Sequence, residues 1–242
     1  MISRTVQVPA GDAVLTGDLD LPEGAGAVVL FAHGSGSSRH SPRNRMVAGR
    51  LRAGGLGTLL IDLLTEAEER RDRRTAEHRF DIGLLGRRLA GALAWLRDTP
   101  GTRGLPVALF GASTGAAAAL VAAAEHPDGV LTVVSRGGRP DLAGDALPRV
   151  AAPVLLLVGG HDPEVLRLNK AAARALRAPH TLRVIPGASH LFEEPGTLEQ
   201  VAETTRDWCL GRLAGAGVPG ERSDESEGGG GEGGPRHAVP GP

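Results

Sequence analysis

The sequence is poor in several residue types, and each shortage removes a class of protein from consideration. Cys209 is the only cysteine among the 242 residues, so no disulfide can form within the chain and the spaced cysteines of a zinc site are missing. Lysine occurs once, at Lys170 and outside any glycine-rich loop, which excludes a phosphate-binding P-loop. We therefore expect no metal site, and a reducing compartment, the cytoplasm, fits best.

Long apolar runs and an excess of one charge are missing as well. No apolar run approaches the roughly 20 residues that a membrane-spanning helix needs, and residues 1–7 lack the apolar stretch of a signal peptide. The net charge of −1 gives no electrostatic reason to bind nucleic acid or a membrane surface. We expect a small-molecule substrate as the partner, and the sequence leaves the oligomeric state open.

The residues that are present predict an α/β protein. Short apolar runs alternate with longer amphipathic segments, which is typical of a mostly parallel sheet with helices on both faces. The predicted strands are 4–8, 13–21, 27–32, 58–61, 107–110, 130–134, 154–158 and 181–185, and the predicted helices are 41–53, 80–97, 114–125, 163–176 and 198–213. Residues 63–78 are predicted to form a charged surface loop, and residues 135–152 are too few for a cap domain.

The composition changes near residue 214. The remaining residues are rich in glycine, glutamate and proline and too poor in apolar side chains to build a core. We predict an α/β domain over residues 1–213 and a disordered tail over 214–242.

The most informative motif is Gly111-Ala112-Ser113-Thr114-Gly115. A strand is predicted before it and a helix after it, which is the context of a nucleophile elbow, where a serine is exposed on a sharp turn. Such a turn needs small flanking residues, and the motif supplies them. A Gly-Ser loop could produce the same five residues by chance, so the case for Ser113 as nucleophile depends on this context.

A serine nucleophile needs a base and an acid, which this type of fold supplies later in the chain, in the order acid, then histidine. His190 follows the last predicted strand, and Asp162 follows the strand before it. Asp162 could instead cap the helix that begins at Pro163, and His190 could be an ordinary loop histidine. Asp141 and Asp145 are the alternative acids.

The oxyanion of an acyl-transfer intermediate needs backbone N–H donors. We predict the N–H groups of Ser35 and Thr114, the first from the glycine-rich loop after strand 27–32 and the second from the residue after the nucleophile. His33 is predicted to fix this loop by hydrogen bonds rather than to act as a base. The same loop superficially resembles a dinucleotide-binding turn, but Arg39 replaces its third glycine.

These motifs together resemble a known family. The elbow, His33-Gly34, Gly159-Gly160-His161-Asp162 and Ala188-Ser189-His190 look like the dienelactone-hydrolase-like branch of the α/β hydrolases, over about residues 3–213. The stretches 34–45 and 136–141 are similar to a bacterial hydrolase module that is sometimes fused to a phosphoribosyltransferase domain. The resemblance implies the α/β-hydrolase fold, with about eight strands. Dienelactone hydrolases use a cysteine nucleophile, so Ser113 departs from the family and leaves the substrate open.

The sequence thus predicts a serine hydrolase that cleaves a small ester or thioester without a cofactor. The alternative is a protein of the same fold that binds a ligand without turnover. Four arginines follow strands whose ends should face the site and could bind an acidic substrate: Arg39, Arg43, Arg136 and Arg139. The chain uses arginine for 26 of its 27 basic residues, which weakens an argument from any single one.

Overall fold

A computed structural model describes residues 1–216 of the chain. The strands are β1 (Ile2–Ala10), β2 (Ala13–Leu21), β3 (Val28–Ala32), β4 (Gly57–Ile61), β5 (Val107–Ala112), β6 (Thr132–Arg136), β7 (Val154–Gly159) and β8 (His180–Ile185). The helices are α1 (Pro42–Ala53), α2 (Glu66–Thr75), α3 (Ile82–Asp98), α4 (Thr114–Glu125), α5 (Pro163–Ala175) and α6 (Thr197–Ala216). Helix α6 therefore covers the first residues of the predicted tail, and the rest of that tail lies outside the described residues.

The eight strands form one sheet in the order β1-β2-β4-β3-β5-β6-β7-β8. Strand β2 pairs antiparallel with β1 and with β4, and every other pair is parallel. This confirms the predicted mostly parallel sheet, and β1 and β2 form an antiparallel hairpin at its start. The central strands β3 to β7 are buried along their whole length, because helices cover both faces.

Two apolar cores lie on the two faces of the sheet. Helices α3 and α4 pack on one face, where the alanines of α4 are fully buried and allow close approach to the sheet. Helices α1 and α6 pack on the other face against residues such as Phe31 and Phe110. The two cores hold the sheet rigidly, so the loops at its carboxyl edge are anchored at both ends.

The predicted loop at 63–78 is wrong, because helix α2 occupies most of it. Thr65 accepts a hydrogen bond from the Glu68 N–H, and the Glu68 carboxylate accepts one from the Thr65 N–H. This capping box, with glutamates in the first turn and arginines in the last, stabilises a helix that has almost no apolar face. Between β6 and β7 the chain forms only the 3-10 segment Pro140–Arg149, so this connection carries no large cap.

No helix within residues 1–216 is long and apolar enough to cross a bilayer.

The parallel strands place several candidate residues at one edge of the sheet. Ser35 follows β3, Ser113 follows β5, Asp162 follows β7 and His190 follows β8, while Arg136 is the last residue of β6. Carboxyl ends of parallel strands form the usual ligand-binding edge of such sheets. Residues far apart in sequence therefore come together there.

Candidate active site

Ser113 lies at the sharp turn between β5 and α4. Its φ is +50° and its ψ is −120°, in a region that L residues rarely adopt. Such a conformation costs about 1–3 kcal/mol and persists only where its surroundings impose it. Here the Ser113 N–H donates to the Arg136 carbonyl at 3.3 Å, and the Ser113 carbonyl accepts from Ala116 and Arg139 at 3.1 Å each. The backbone of the turn is therefore fixed on both sides.

The glycines of the motif are required by close approach of the backbone. A Cβ atom on Gly111 would lie 2.4 Å from Ala116 Cα, and one on Gly115 would lie 2.3 Å from the Ala32 carbonyl oxygen. Both contacts are with main chain that cannot move aside. The structure thus gives the physical reason for the Gly-x-Ser-x-Gly pattern: strand β3, the elbow and helix α4 meet without room for a side chain.

The structure pairs His190 with Asp162. His190 Nδ1 lies 2.7 Å from Asp162 Oδ2, while Asp162 Oδ1 accepts the Val165 N–H at 3.3 Å. Asp162 therefore caps α5 with one oxygen and holds the imidazole with the other. The Asp162 side chain is 13% exposed and that of His190 is 41% exposed, which leaves the second imidazole nitrogen accessible from the pocket side.

The two other candidate acids do not reach the imidazole. Asp141 forms a two-pronged pair with Arg139, at 2.9 and 2.7 Å, and the Asp145 side chain is exposed. The loop that carries His190 is instead held by Glu194, whose carboxylate accepts the Ser189 N–H at 3.0 Å. This hydrogen bond lowers the pKa of Glu194, so the loop keeps its anchor at neutral pH.

Ser113 and His190 line one pocket of about 180 Å³ at the carboxyl edge of the sheet. Within residues 1–216 no hydrogen bond joins Ser113 Oγ to His190. Such bonds are often long or poorly aligned before a substrate binds. The arrangement is therefore a strained serine and a carboxylate-held histidine that face the same small space.

The two predicted oxyanion donors differ in whether their N–H groups already have a hydrogen-bond acceptor. Thr114 is the first residue of α4, so its N–H has no acceptor within the helix. The Ser35 N–H, by contrast, donates to Thr114 Oγ1 at 2.9 Å. The two residues are in contact, but the Ser35 donor is engaged by a hydroxyl, which the sequence did not predict.

His33 is buried and has the structural role that the sequence predicted. Its Nδ1 bonds to the Gly34 carbonyl at 2.9 Å, and its Nε2 accepts the Leu63 N–H at 3.1 Å. Because Leu63 can only donate, the ring is neutral with its proton on Nδ1. Burial lowers the pKa of His33, so the ring stays neutral and ties the loop after β3 to the loop after β4.

This environment predicts that the free energy of unfolding falls between pH 7 and pH 5. In the unfolded chain His33 binds a proton below about pH 6.5, whereas in the fold its lowered pKa keeps it neutral. The unfolded state is therefore favoured increasingly as the pH drops below about 6.5. Urea unfolding at pH 7 and at pH 5 measures the free energy of unfolding at each pH. The decrease in this free energy from pH 7 to pH 5 should be larger in the wild type than in His33→Gln. An equal loss in both would contradict this assignment.

Only two of the four candidate arginines line the pocket, namely Arg43 and Arg136. Arg39 lies outside this pocket lining, and its guanidinium is held by the carboxylates of Asp62 and Asp18. Arg139 also lies outside the lining, and its guanidinium forms an ion pair with Asp141. The position of an arginine after a strand does not show whether a carboxylate pairs with it in the fold.

The structure also adds pocket residues that the sequence analysis missed. Ser41 and Asn44, in the first turn of α1, line the pocket together with Ser37 and Leu191. The signal for the first two was present, because Ser41-Pro42 opens a helix directly after the loop that follows β3. Polar residues in such a first turn face the same edge of the sheet as the elbow.

The fold and the site define an α/β hydrolase. The family profile described as "Dienelactone hydrolase family" matches residues 19–209, which is most of the chain. The chain therefore belongs to the dienelactone hydrolase family.

Individual relatives agree with this assignment. A crystal structure of a dienelactone hydrolase from Anabaena variabilis is 57% identical, with a TM-score of 0.85, and the match covers 87% of this chain and 97% of that one. The structure of Est1E from Butyrivibrio proteoclasticus has a TM-score of 0.72 over 87% of this chain and 99% of its own, at 16% identity, and so shows likeness of fold alone.

Two curated proteins of Mycobacterium tuberculosis are each 55% identical over 215 residues, which is 89% of this chain and 48% of theirs. Both are provisionally named phosphoribosyl transferases. The chain spans about half the length of the curated relatives that it matches. The name of these relatives therefore describes proteins in which about half of the residues lie outside the matched part.

Proposed function

We propose that this hydrolase cleaves a small ester or thioester through a covalent acyl-enzyme on Ser113. The observation that carries the proposal is the shared pocket of the strained Ser113 and the His190–Asp162 pair. A serine hydroxyl is a weak nucleophile until a base removes its proton, and here the base is already oriented by a carboxylate.

The reaction proceeds in two steps. As Ser113 Oγ attacks the carbonyl carbon, His190 Nε2 takes its proton, and Asp162 stabilises the resulting imidazolium through Nδ1. The tetrahedral intermediate collapses, and the leaving alcohol or thiol receives that proton from His190. Water then attacks the acyl group with His190 as base, and the acid is released. No step requires a metal or a cofactor.

The oxyanion of each intermediate is held by backbone donors. The N–H of Thr114 is the first donor, since it has no acceptor within α4. Ser35 supplies the second when the substrate oxygen replaces Thr114 Oγ1 as acceptor of its N–H. The present bond at 2.9 Å keeps the Ser35 N–H beside the elbow until the substrate arrives.

The alternative of a silent binding protein has less support. Membership in a hydrolase family favours turnover, and binding alone would require neither the strained serine nor the Asp162 carboxylate that holds His190. The name of the Mycobacterium tuberculosis relatives does not supply a second function for this pocket, because about half of each relative lies outside the match.

The proposal is tested by hydrolysis of a matched panel of small acyl esters, thioesters and amides. We expect turnover of oxygen or sulfur esters with short acyl groups, since these match a pocket of about 180 Å³. Amides should be slower by orders of magnitude because their leaving group is poor. Absence of turnover of every ester and thioester by folded protein would overturn the proposal.

A further inference from the structure

Within residues 1–216, Arg136 is a buried cation that forms no ion pair with a carboxylate. It ends β6 next to the elbow, is 7% exposed and lines the pocket with Ser113. Its only side-chain hydrogen bond within the described residues is a long one, 3.4 Å from Nη2 to Asn44 Oδ1, and its Nε is buried without a partner. The guanidinium also lies 5.8 Å from the centre of the Phe192 ring. These contacts position the group without neutralising it.

A second guanidinium faces the same pocket. Arg43 Nη1 donates to Glu193 at 3.0 Å, but the Glu193 side chain is 61% exposed and the Arg43 Nε is buried without a partner. Burial, with a contribution from nearby Arg43, lowers the pKa of Arg136 to about 10, so the Arg136 guanidinium remains charged at neutral pH. The pocket therefore holds two positive charges and one partly hydrated counter-ion at its rim.

The backbone adds to this positive potential. Helices α1 and α4 both begin at the pocket, and neither has an acidic residue in its first turn. The N-terminal ends of helices carry partial positive charge and favour anions. The hydroxyls of Ser35, Ser37 and Ser41 line the same space and can donate hydrogen bonds.

An unpaired guanidinium in a protein interior destabilises the fold, and a carboxylate partner or an apolar residue would be better for stability alone. From this combination we infer that Arg136 and Arg43 bind the phosphate group of a phosphorylated ester substrate beside Ser113. This inference names the substrate class of the proposed acyl transfer and rests on that proposed function. The phosphate remains intact and serves to hold the substrate.

A phosphate suits this subsite better than a carboxylate. A phosphate monoester carries about −1.5 to −2 charges at neutral pH and three terminal oxygens. It can accept hydrogen bonds from both guanidinium groups and from the lining hydroxyls at once. A carboxylate has one charge and two oxygens, so it would satisfy one guanidinium and leave the second unmatched.

The test measures the binding of inorganic phosphate to the full chain by isothermal titration calorimetry at pH 8. Wild type should bind phosphate at least tenfold more tightly than acetate, and Arg136→Met should weaken phosphate binding at least tenfold. Arg139→Gln is the matched control three residues further along the chain, since Asp141 neutralises Arg139, and it should bind phosphate as the wild type does. Acetate binding as tight as phosphate, or phosphate binding unaffected by Arg136→Met, would overturn the inference.

Thermal unfolding separates a binding role of Arg136 from a structural one. Without phosphate, Arg136→Met should have a Tm equal to or above that of the wild type, because methionine fills similar space without a buried charge. Added phosphate should raise the Tm of the wild type and not of the variant. A lower Tm of the variant combined with retained phosphate binding would mark Arg136 as structural and contradict the inference.

The same measurements distinguish this inference from the proposed acyl transfer. Phosphate binding involves no turnover, so Ser113→Ala should bind phosphate as the wild type does. Failure of ester hydrolysis with intact phosphate binding would reject the mechanism and keep the subsite. Hydrolysis of neutral esters without phosphate binding would reject the phosphate subsite and keep the acyl-transfer mechanism.

Discussion

Replacing Ser113 by alanine is expected to lower kcat/KM for an ester substrate by about 10⁴- to 10⁶-fold. The attacking oxygen is lost, while the backbone strain at this position stays, because alanine at a φ of +50° is no more favourable than serine. The stability of the variant should therefore stay close to that of the wild type. The measurement is the initial rate with the best ester of the panel, together with thermal unfolding.

Ser135→Ala is the matched control for that experiment. Ser135 is fully buried in the neighbouring strand β6, and its Oγ has no hydrogen-bond partner within the described residues. Removing this hydroxyl should change the rate little. If Ser113→Ala kept a tenth or more of the wild-type rate, the nucleophile assignment would be wrong.

Replacing Asp162 by asparagine is expected to lower kcat by about 10⁴-fold without unfolding the protein. The asparagine amide would donate to His190 Nδ1, which forces the ring proton onto Nε2 and prevents that nitrogen from accepting the serine proton. Asparagine is as good a helix cap as aspartate, so the hydrogen bond to the Val165 N–H is preserved. Steady-state rates and urea unfolding should therefore separate the two roles of Asp162.

Asp141→Asn and Asp145→Asn are the controls, because the sequence alone admitted both as the acid. Neither carboxylate contacts His190, so each variant should retain most of the wild-type kcat. A large loss in Asp141→Asn, with Asp162→Asn still active, would assign the acid to the loop after β6 and contradict the pairing seen here.

The sequence was sufficient for the sheet and for the order of its candidate residues. Buried parallel strands are nearly continuous apolar runs, so strands such as β3 and β7 are visible as runs of valine and leucine. The elbow was recognisable because sterically required glycines leave a fixed pattern around the serine. Asp162 and His190 could be located because the ends of parallel strands converge on one edge of the sheet.

Contacts between side chains distant in sequence could not be predicted in the same way. Asp62 and Asp18 neutralise Arg39, and nothing in the local sequence around Arg39 indicates either of them. The hydrogen bond from the Ser35 N–H to Thr114 Oγ1 joins residues 79 positions apart. The lack of a carboxylate partner for Arg136 within the described residues could not be predicted from the sequence either, because it depends on where the fold places every carboxylate.

Helix α2 is a different case, since its signal was local. Thr65 and Glu68 have the spacing of a capping box, but the density of charge in 66–74 suggested a solvated loop. A helix without an apolar stripe is stabilised by its caps and by charges matched to its dipole. Composition alone was a poor guide to its secondary structure.

The central claim is that Ser113 becomes acylated, and labelling with a fluorophosphonate tests it most directly. The reagent forms a stable bond to an activated serine, and mass spectrometry of the digested protein identifies the modified residue. The account predicts one adduct, on the peptide that contains Ser113, with labelling abolished in Ser113→Ala and strongly slowed in Asp162→Asn. Folded wild-type protein that takes up no label, or that carries it on another serine, would contradict the account.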